Sequence, residues 1–340
     1  MIGCWAVLNL VSDLRSPKLS LMSSTSSALL SSGSINVDQD PSDAWRCEYP
    51  FASNYLQLGE HKLHYVDEQG VDAGGHDPVL MVHGNPTWSF YWRRMIACLS
   101  PNRRTVAVDH LGCGLSDKPA NYDYCLQNHI DNLCRLIDEL DLQNVTLMAH
   151  DWGGSIGLGA LLARKERFKK IVLFNTGAFP PPYIPFRIRV CRWPLIGKLG
   201  VQGFNLFARA ATFMATEQKG GLPKNVADGL LAPYNTWAHR VAIYHFVKDI
   251  PLSKSHPTWE VLDRIEAGLK ELADWPILMA WGMKDWCFRP ECLERFNRHW
   301  PEAEVHRIAD AGHYVIEDAA EEVGQKVQEF LQRHEDTSSK

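Results

Sequence analysis

The sequence predicts an α/β protein with a mostly parallel, doubly wound sheet and an inserted helical cap. Two observations predict this class: continuous apolar runs like those of buried parallel strands, and amphipathic helical stretches between them. Alternating β and α units place helices on both faces of a parallel sheet. At 340 residues with 45% hydrophobic content, the chain is long enough to bury such a core.

We predict that the first 45 residues form a disordered N-terminal arm. Ten of the 23 residues from Ser12 to Ser34 are Ser, without a period, and such a stretch buries too little apolar surface to offset the entropy lost on ordering. The apolar start MIGCWAVLNLV leaves a secretory signal as an alternative, but it has no positively charged segment and precedes no small-residue cleavage site. We therefore expect a cytoplasmic protein.

We predict that the α/β core is formed by residues 46–178 and 274–335. The run KLHYVDEQ alternates like a strand with one exposed face. Five further runs are continuously apolar, as in buried parallel strands: PVLMVHG, RTVAVDHLG, NVTLMAHD, KKIVLFNTG and PILMAWGMKD. The segment LQNHIDNLCRLIDELDL carries apolar residues at helical spacing and predicts an amphipathic helix.

Residues 179–273 break this alternation and predict the cap. The interval is rich in Pro, Trp and Arg and contains helical segments such as GFNLFARAATFMATEQ, without a strand comparable to those of the core. We therefore expect a helical cap inserted after the strand KKIVLFNTG.

Composition excludes several classes of function. The net charge is −5, from 35 basic and 40 acidic residues, without the basic block that nucleic-acid binding requires. No run reaches the 18 apolar residues of a membrane span. Nine Cys without a CxxC pair indicate reduced thiols instead of a disulfide framework or a zinc site. His150 has no other ligands at coordination spacing, so we expect neither metal nor organic cofactor.

The segment LMAHDWGG fits a sharp strand-to-helix turn that lifts a nucleophile above a sheet. In this template small residues flank the nucleophile, here Asp151 between Ala149 and Gly153. If a helix begins at Trp152, its free N–H groups face the carboxylate. The alternative is an ordinary helix-capping Asp followed by a Gly turn.

Two other segments favour the catalytic interpretation. WGMKD places Asp285 after a strand, and DAGHYVIED places His313 before the last helix. This is the nucleophile, acid, base order of α/β-hydrolases, although a single His is often structural. Some relatives carry the acid where this chain has Asn175, which cannot act as an anion. We therefore predict Asp285 as the acid and His313 as the base.

The segment VHGNPTW predicts the remaining groups. In this fold the residues after the His-Gly pair and after the nucleophile supply the backbone N–H groups of the oxyanion hole, here Asn85 and Trp152. Their amide and indole side chains also donate hydrogen bonds, and we expect them to face a leaving group. A carboxylate nucleophile suits displacement at a saturated carbon because it is anionic before the substrate arrives.

With these motifs, HGNP, DHLGCGLSDKP, HDWGG, WGMKD and GHYVIED, the sequence resembles the haloalkane dehalogenases over about residues 48–335. The resemblance implies the same roles: Asp151 nucleophile, His313 base, Asp285 acid, and Asn85 and Trp152 as halide donors. NTGAFP and PYNTW…DIPLS look most like the third dehalogenase subfamily, which is similar to the β-lactone decarboxylases of long-chain olefin biosynthesis. The resemblance also implies a small apolar substrate, either a haloalkane or a β-lactone, and a protein that forms a homo-oligomer.

The main prediction is hydrolytic dehalogenation through an aspartyl-alkyl ester, with β-lactone decarboxylation as the alternative. An epoxide hydrolase would need two cap tyrosines, for which Tyr183, Tyr234 and Tyr244 are candidates. A non-catalytic receptor would have little use for the Asp, His, Asp set. The aromatic residues Trp88, Trp286 and Phe179 are predicted either to shape an apolar pocket or to pack in the core.

Overall fold

A computed structural model describes residues 41–70 and 75–335. The proposed disordered arm and any secretory signal therefore fall largely outside the described residues. The described chain is an α/β protein built on a single eight-stranded sheet in the order β1-β2-β4-β3-β5-β6-β7-β8. The predicted fold class, a mostly parallel doubly wound sheet, is confirmed.

The strands follow the apolar runs of the sequence. Their bounds are β1 Asn54–Leu58, β2 His61–Glu68, β3 Val79–Val82, β4 Thr105–Val108, β5 Val145–Asp151, β6 Phe168–Thr176, β7 Ile277–Gly282 and β8 Glu304–Ile308. β1 pairs with β2 and β2 with β4 in antiparallel register, whereas every other pairing is parallel. The parallel strands therefore end at one edge, where functional residues of this sheet type gather.

Core helices pack on both faces of the sheet. Their bounds are α1 Arg93–Leu99, α2 Leu126–Glu139, α3 Trp152–Ala163, α10 Pro290–His299, α11 Val315–Asp318 and α12 Ala320–Arg333. Successive strand residues point to opposite faces, so Leu80 and Val82 join one apolar cluster while Val79 and Met81 join the other. Burial on both faces explains why the parallel strands are apolar throughout.

The chain between β6 and β7 contains the helical cap. It contains α4 Phe186–Val190, α5 Ile196–Lys198, a π-helical turn Leu199–Gly203, α6 Leu206–Met214, α7 Lys224–Leu231, α8 Val241–Asp249 and α9 Pro257–Leu269. The last helix of this segment, α9, packs against the core helices α2 and α3. The predicted helical insertion is thus present. In the described part of the chain, no helix is both long and apolar enough to span a membrane.

The sequence patterns do not indicate the two edge strands or the 3-10 helix Pro41–Glu48. Both edge strands, β1 and β8, are short and partly exposed, so they lack the apolar signature of the central strands. Pro41–Glu48, which begins within the segment that the sequence assigns to the arm, forms a 3-10 helix. Trp45, which is 4% exposed, packs edge-on against Trp88 and Phe90 at ring distances of 5.7 and 6.0 Å.

The Trp45 contact predicts that the 3-10 helix is part of the folded unit. Trp45→Ala should lower the free energy of unfolding by about 3–5 kcal/mol, because a buried aromatic ring is lost and a cavity remains. Chemical denaturation measures the change. Tyr55→Ala is the control, since this ring is 51% exposed, and an equal loss in both variants would contradict the packing role of Trp45.

Candidate active site

Asp151 lies at the end of β5, and α3 begins at the next residue. Its backbone has φ 55° and ψ −129°, a conformation that non-glycine residues rarely adopt. Two glycines permit the turn: a Cβ at Gly84 would overlap the Asp151 side chain, and a Cβ at Gly153 would overlap the Val82 carbonyl. This is the sharp strand-to-helix turn that the sequence predicted.

The Asp151 carboxylate is buried among groups that favour its anion. The Asn85 backbone N–H donates to Oδ1 at 2.6 Å, and the Trp152 backbone N–H also donates to the carboxylate. Burial raises the pKa of Asp151 above its usual value, while His313 and the two N–H groups act in the opposite direction. The two amides predicted for an oxyanion hole thus converge on Asp151 here.

His313 lies between the two carboxylates. Its Nδ1 is 2.8 Å from Asp285 Oδ2, a hydrogen-bonding distance, whereas its Nε2 is 3.6 Å from Asp151 Oδ2. If Nδ1 carries the proton donated to Asp285, Nε2 has a free lone pair facing Asp151. Burial lowers the pKa of His313, but the Asp285 and Asp151 carboxylates outweigh burial and raise it overall.

Asp285 is fixed by Asn175, a residue whose role the sequence did not reveal. Asn175 is the last residue but one of β6 and has φ 24°, and its Nδ2 donates at 3.0 Å both to Asp285 Oδ2 and to the Gly282 carbonyl. Its Oδ1 accepts from the Gly282 N–H at 2.8 Å. The Cys287 N–H donates to the other Asp285 oxygen at 2.6 Å. The sequence signal for this role is a polar residue near the end of a buried strand.

Aromatic rings fix the orientation of the His313 imidazole. Phe288 stacks on it at a ring distance of 5.7 Å and an angle of 19°. His150 lies on β5, next to Asp151 in sequence. Its ring is 4.5 Å from the His313 ring, and its Nε2 is 2.9 Å from the His313 carbonyl oxygen. His150 therefore holds the backbone of the His313 loop, a contact that its position beside Asp151 did not suggest.

The Asn85 and Trp152 side chains lie at the base of a cavity together with Asp151. Asn85 Nδ2 donates to the Ile243 carbonyl of α8 at 3.3 Å, so the amide points toward the cap. The half-buried Trp152 ring packs on Phe246 of the same helix at 5.6 Å. Both side chains therefore contact the cap helix α8, and both residues line the cavity that Asp151 lines.

The cavity has a volume of about 690 Å³ and is lined mainly by apolar side chains from the sheet edge and from the cap. Of the aromatic candidates, Phe179 and Trp286 line it, but Trp88 does not. Trp88 is fully buried in the core, where its indole donates to the Gly229 carbonyl at 3.0 Å. For Trp88 the core-packing alternative is therefore correct.

The cap tyrosines do not form the pair that epoxide opening requires. Tyr183 lines the cavity, but Tyr234 and Tyr244 do not. The Tyr234 hydroxyl is fully buried, donates to the Thr87 carbonyl at 3.1 Å and accepts from the Gly114 N–H at 3.2 Å. The presence of several cap tyrosines therefore does not support an epoxide hydrolase, because Tyr234 and Tyr244 do not line the cavity.

Comparison with known proteins agrees with this architecture. The family described as alpha/beta hydrolase fold matches residues 77–190 and 204–320. The chain therefore belongs to the alpha/beta hydrolase family and is an enzyme of that superfamily. The solved structures of the haloalkane dehalogenases DatA from Agrobacterium tumefaciens and DbeA from Bradyrhizobium elkani are similar in fold. The DatA structure has TM-score 0.74 and 24% sequence identity, and the match covers 83% of this chain and 96% of that one. The DbeA structure has TM-score 0.75 and 22% sequence identity, and the match covers 83% of this chain and 98% of that one.

Two kinds of curated relative are similar in sequence. A cis-3-alkyl-4-alkyloxetan-2-one decarboxylase of Shewanella oneidensis is 40% identical over 83% of this chain and 89% of that protein. A second decarboxylase of this name, from Xanthomonas campestris, is 38% identical over 80% and 93%. Haloalkane dehalogenase 2 of Mycobacterium tuberculosis is 30% identical over 81% and 93%.

The contacts of Asn175 predict that it positions Asp285 and, through it, His313. Asn175→Ala should lower the free energy of unfolding by about 1–3 kcal/mol, because the buried Gly282 N–H loses its acceptor and the Gly282 carbonyl and Asp285 carboxylate each lose a donor. It should also shift or broaden the proton NMR signal of the His313 Nδ1–H, which a merely structural residue would not affect.

Asn132→Ala provides a matched control. Asn132 is also buried and donates one partly buried hydrogen bond, to the Tyr122 hydroxyl at 2.8 Å, but it lies on α2. We expect this control to lose stability without moving the His313 signal. An unchanged His313 signal in Asn175→Ala would show that Asn175 does not orient the pair.

Proposed function

We propose that the protein is a β-lactone decarboxylase that converts a cis-3,4-dialkyl β-lactone into an alkene and carbon dioxide. The observation that carries the proposal is the cavity above Asp151, which at about 690 Å³ offers an apolar chamber for two alkyl chains. The relatives named for this activity are also more similar to the chain, at 40% and 38% identity, than the relative named for dehalogenation, at 30%. This support reverses the order of the two functions predicted from the sequence.

The first step of the proposed reaction uses Asp151 as a nucleophile. Its carboxylate attacks the saturated ring carbon C4, an Asp151–C4 ester bond forms, and the C4–O bond of the lactone breaks. The ring opens to a carboxylate, whose negative charge can be received by the Asn85 amide and the Trp152 indole. A nucleophile that is already anionic suits this step, because no proton has to be removed from it.

The second step releases both products. The C3–CO₂ bond breaks, its electron pair forms the C3=C4 double bond, and the Asp151–C4 bond breaks to return the carboxylate. Atoms and charge balance without water, oxidant or proton transfer. In this reaction His313 and its partner Asp285 have an electrostatic role, because His313 favours the anion of Asp151 when the carboxylate is expelled.

Hydrolytic dehalogenation is the second candidate, and the access of His313 to the Asp151 ester supports it. Displacement of halide by Asp151 would leave an alkyl ester, with Asn85 and Trp152 facing the halide. His313 would then remove a proton from a water molecule that hydrolyses this ester to an alcohol, with Asp285 orienting the imidazole. Both reactions thus begin with displacement by Asp151 at a saturated carbon, but a C–O bond breaks in the lactone and a carbon–halogen bond in the haloalkane. Only the second reaction requires water.

The proposed function predicts alkene formation from a β-lactone. The purified chain should convert a long-chain cis-3,4-dialkyl β-lactone to alkene and carbon dioxide faster than it releases bromide from a long-chain bromoalkane. Gas chromatography of the alkene and ion chromatography of the bromide measure the two rates. Asp151→Ala is the control and should lose both activities because the attacking oxygen is gone.

Bromide release without alkene would contradict the decarboxylase proposal and favour dehalogenation. Alkene formation that persists in Asp151→Ala would contradict the covalent mechanism, since the lactone would then fragment without an aspartyl ester.

A second prediction separates the roles of His313. In His313→Ala the hydrolysis of an alkyl ester on Asp151 should slow by about 10²–10⁴-fold, because the general base is lost. Incubation with a bromoalkane should therefore add one alkyl group to Asp151, detected by mass spectrometry of the intact chain and its peptides.

Lactone turnover should be affected far less in the same variant, since neither of its steps moves a proton. An unaltered rate of bromoalkane hydrolysis in His313→Ala would contradict the role of His313 as the general base. Cys287 also lines the cavity, and an alkyl group found on Cys287 would contradict the role of Asp151 as the nucleophile.

A further inference from the structure

The cap exposes an unusual amount of apolar surface on one stretch of chain. Nine of the twelve exposed large apolar side chains among the described residues lie between Tyr183 and Met214. We call this stretch, together with Trp237, the cap face. Its exposed apolar residues are Tyr183, Phe186, Trp193, Leu195, Leu199, Phe204, Leu206, Phe213, Met214 and Trp237. Scattered apolar residues are normal on a protein surface, but a concentration of this kind marks an interaction site.

The charges of the cap face have a single sign. From residue 178 to residue 216 the chain contains five Lys or Arg and no Asp or Glu, although the whole protein carries a net charge of −5. One of the five, Arg192, is used internally, donating to the carbonyls of Val247, Lys248 and Ile250 at 2.6 Å. The other four are exposed and form no ion pair with any described residue: Arg187, Arg189, Lys198 and Arg209.

Contacts show that basic and apolar residues of the cap face are neighbours. The Lys198 ammonium lies 6.0 Å from the Trp237 ring, and Gly203 approaches both Trp237 and Leu199. On α6, Leu206, Arg209 and Phe213 are all exposed at a spacing of three and four residues, which places them on one side of the helix. The cap face therefore presents cations among exposed apolar side chains.

The cap face is continuous with the cavity. Tyr183, Leu206 and Met214 are exposed at 52%, 57% and 37% and also line the cavity. Helix α6 thus contributes Phe207, Ala210 and Ala211 to the cavity wall and Leu206 and Phe213 to the exterior. An apolar molecule can pass from this surface to Asp151 along apolar side chains.

We propose that the cap face docks on the surface of an anionic phospholipid bilayer, from which the cavity takes up its apolar ligand. Exposed Trp, Phe and Leu beside uncompensated Lys and Arg are the combination that holds a protein at a membrane interface. A protein partner would need an acidic patch to match these four cations, and the described exterior of this chain mixes both charges elsewhere. The bilayer supplies negative charge and an apolar layer together.

The experiment measures binding of the full chain to vesicles, without reference to catalysis. Co-sedimentation with phosphatidylglycerol vesicles should retain the protein, whereas phosphatidylcholine vesicles should retain little. Binding should weaken as salt is added, because the attraction to anionic headgroups is screened. The double variant Lys198→Glu/Arg209→Glu should weaken binding by more than about tenfold, since each cation near an anionic surface contributes appreciably.

Matched controls isolate the cap face. Lys169→Glu/Arg298→Glu makes the same change in net charge at exposed residues outside the cap and should bind like the unsubstituted chain. Phe204→Ser, at a side chain 70% exposed, should weaken binding, whereas Tyr55→Ser, at one 51% exposed on β1, should not. Thermal unfolding checks that all variants are folded; none of these residues lines the cavity.

The proposal is overturned if the unsubstituted chain fails to bind phosphatidylglycerol vesicles, or if both double variants lose binding equally. Sedimentation velocity separates the alternative of self-association. If the free protein is an oligomer that Phe204→Ser dissociates, and vesicles retain neither form, the cap face joins copies of this chain. Vesicle binding is measured without substrate, so this experiment tests the docking proposal independently of lactone turnover.

Discussion

The close approach of two glycines to Asp151 is the constraint on which the site depends. A carboxylate can stand above the sheet in a left-handed turn only if Gly84 and Gly153 leave space for it. At this turn the carboxylate accepts from the Trp152 N–H of α3 and from the Asn85 N–H of the loop after β3. One backbone geometry thus determines the position of Asp151, its anion-stabilising contacts and the start of α3.

Burial and charge act in opposite directions at this turn. Removing water raises the pKa of Asp151, and neighbouring His313 counteracts the rise; for His313 the same burial lowers the pKa and two carboxylates raise it. The two groups are therefore coupled, and Asn175 matters because it fixes Asp285, the carboxylate bonded to His313. At the proposed nucleophile Asp151, burial therefore disfavours the anion, and His313 and the two backbone N–H groups favour it.

The cap decides what reaches Asp151. Helix α8 orients Asn85 through the Ile243 carbonyl and packs Phe246 on Trp152, so it sets the donors beside the carboxylate. Helix α6 forms part of the cavity wall and of the exposed apolar surface. The proposed lactone chemistry and the proposed membrane docking therefore rest on different helices of one insertion, joined by the cavity between them.

The sequence by itself determined the α/β class, the central strands and the positions of Asp151, Asp285 and His313, because buried parallel strands and tight turns leave local signatures in residue type. Only the tertiary structure decided that Asn175 bonds to Asp285, that Trp88 belongs to the core and that the edge strands β1 and β8 complete the sheet. These features depend on contacts between segments far apart in the chain, and on half-exposed strands whose residue pattern resembles that of loops. The cavity also arises from packing between cap and core, which no local pattern specifies.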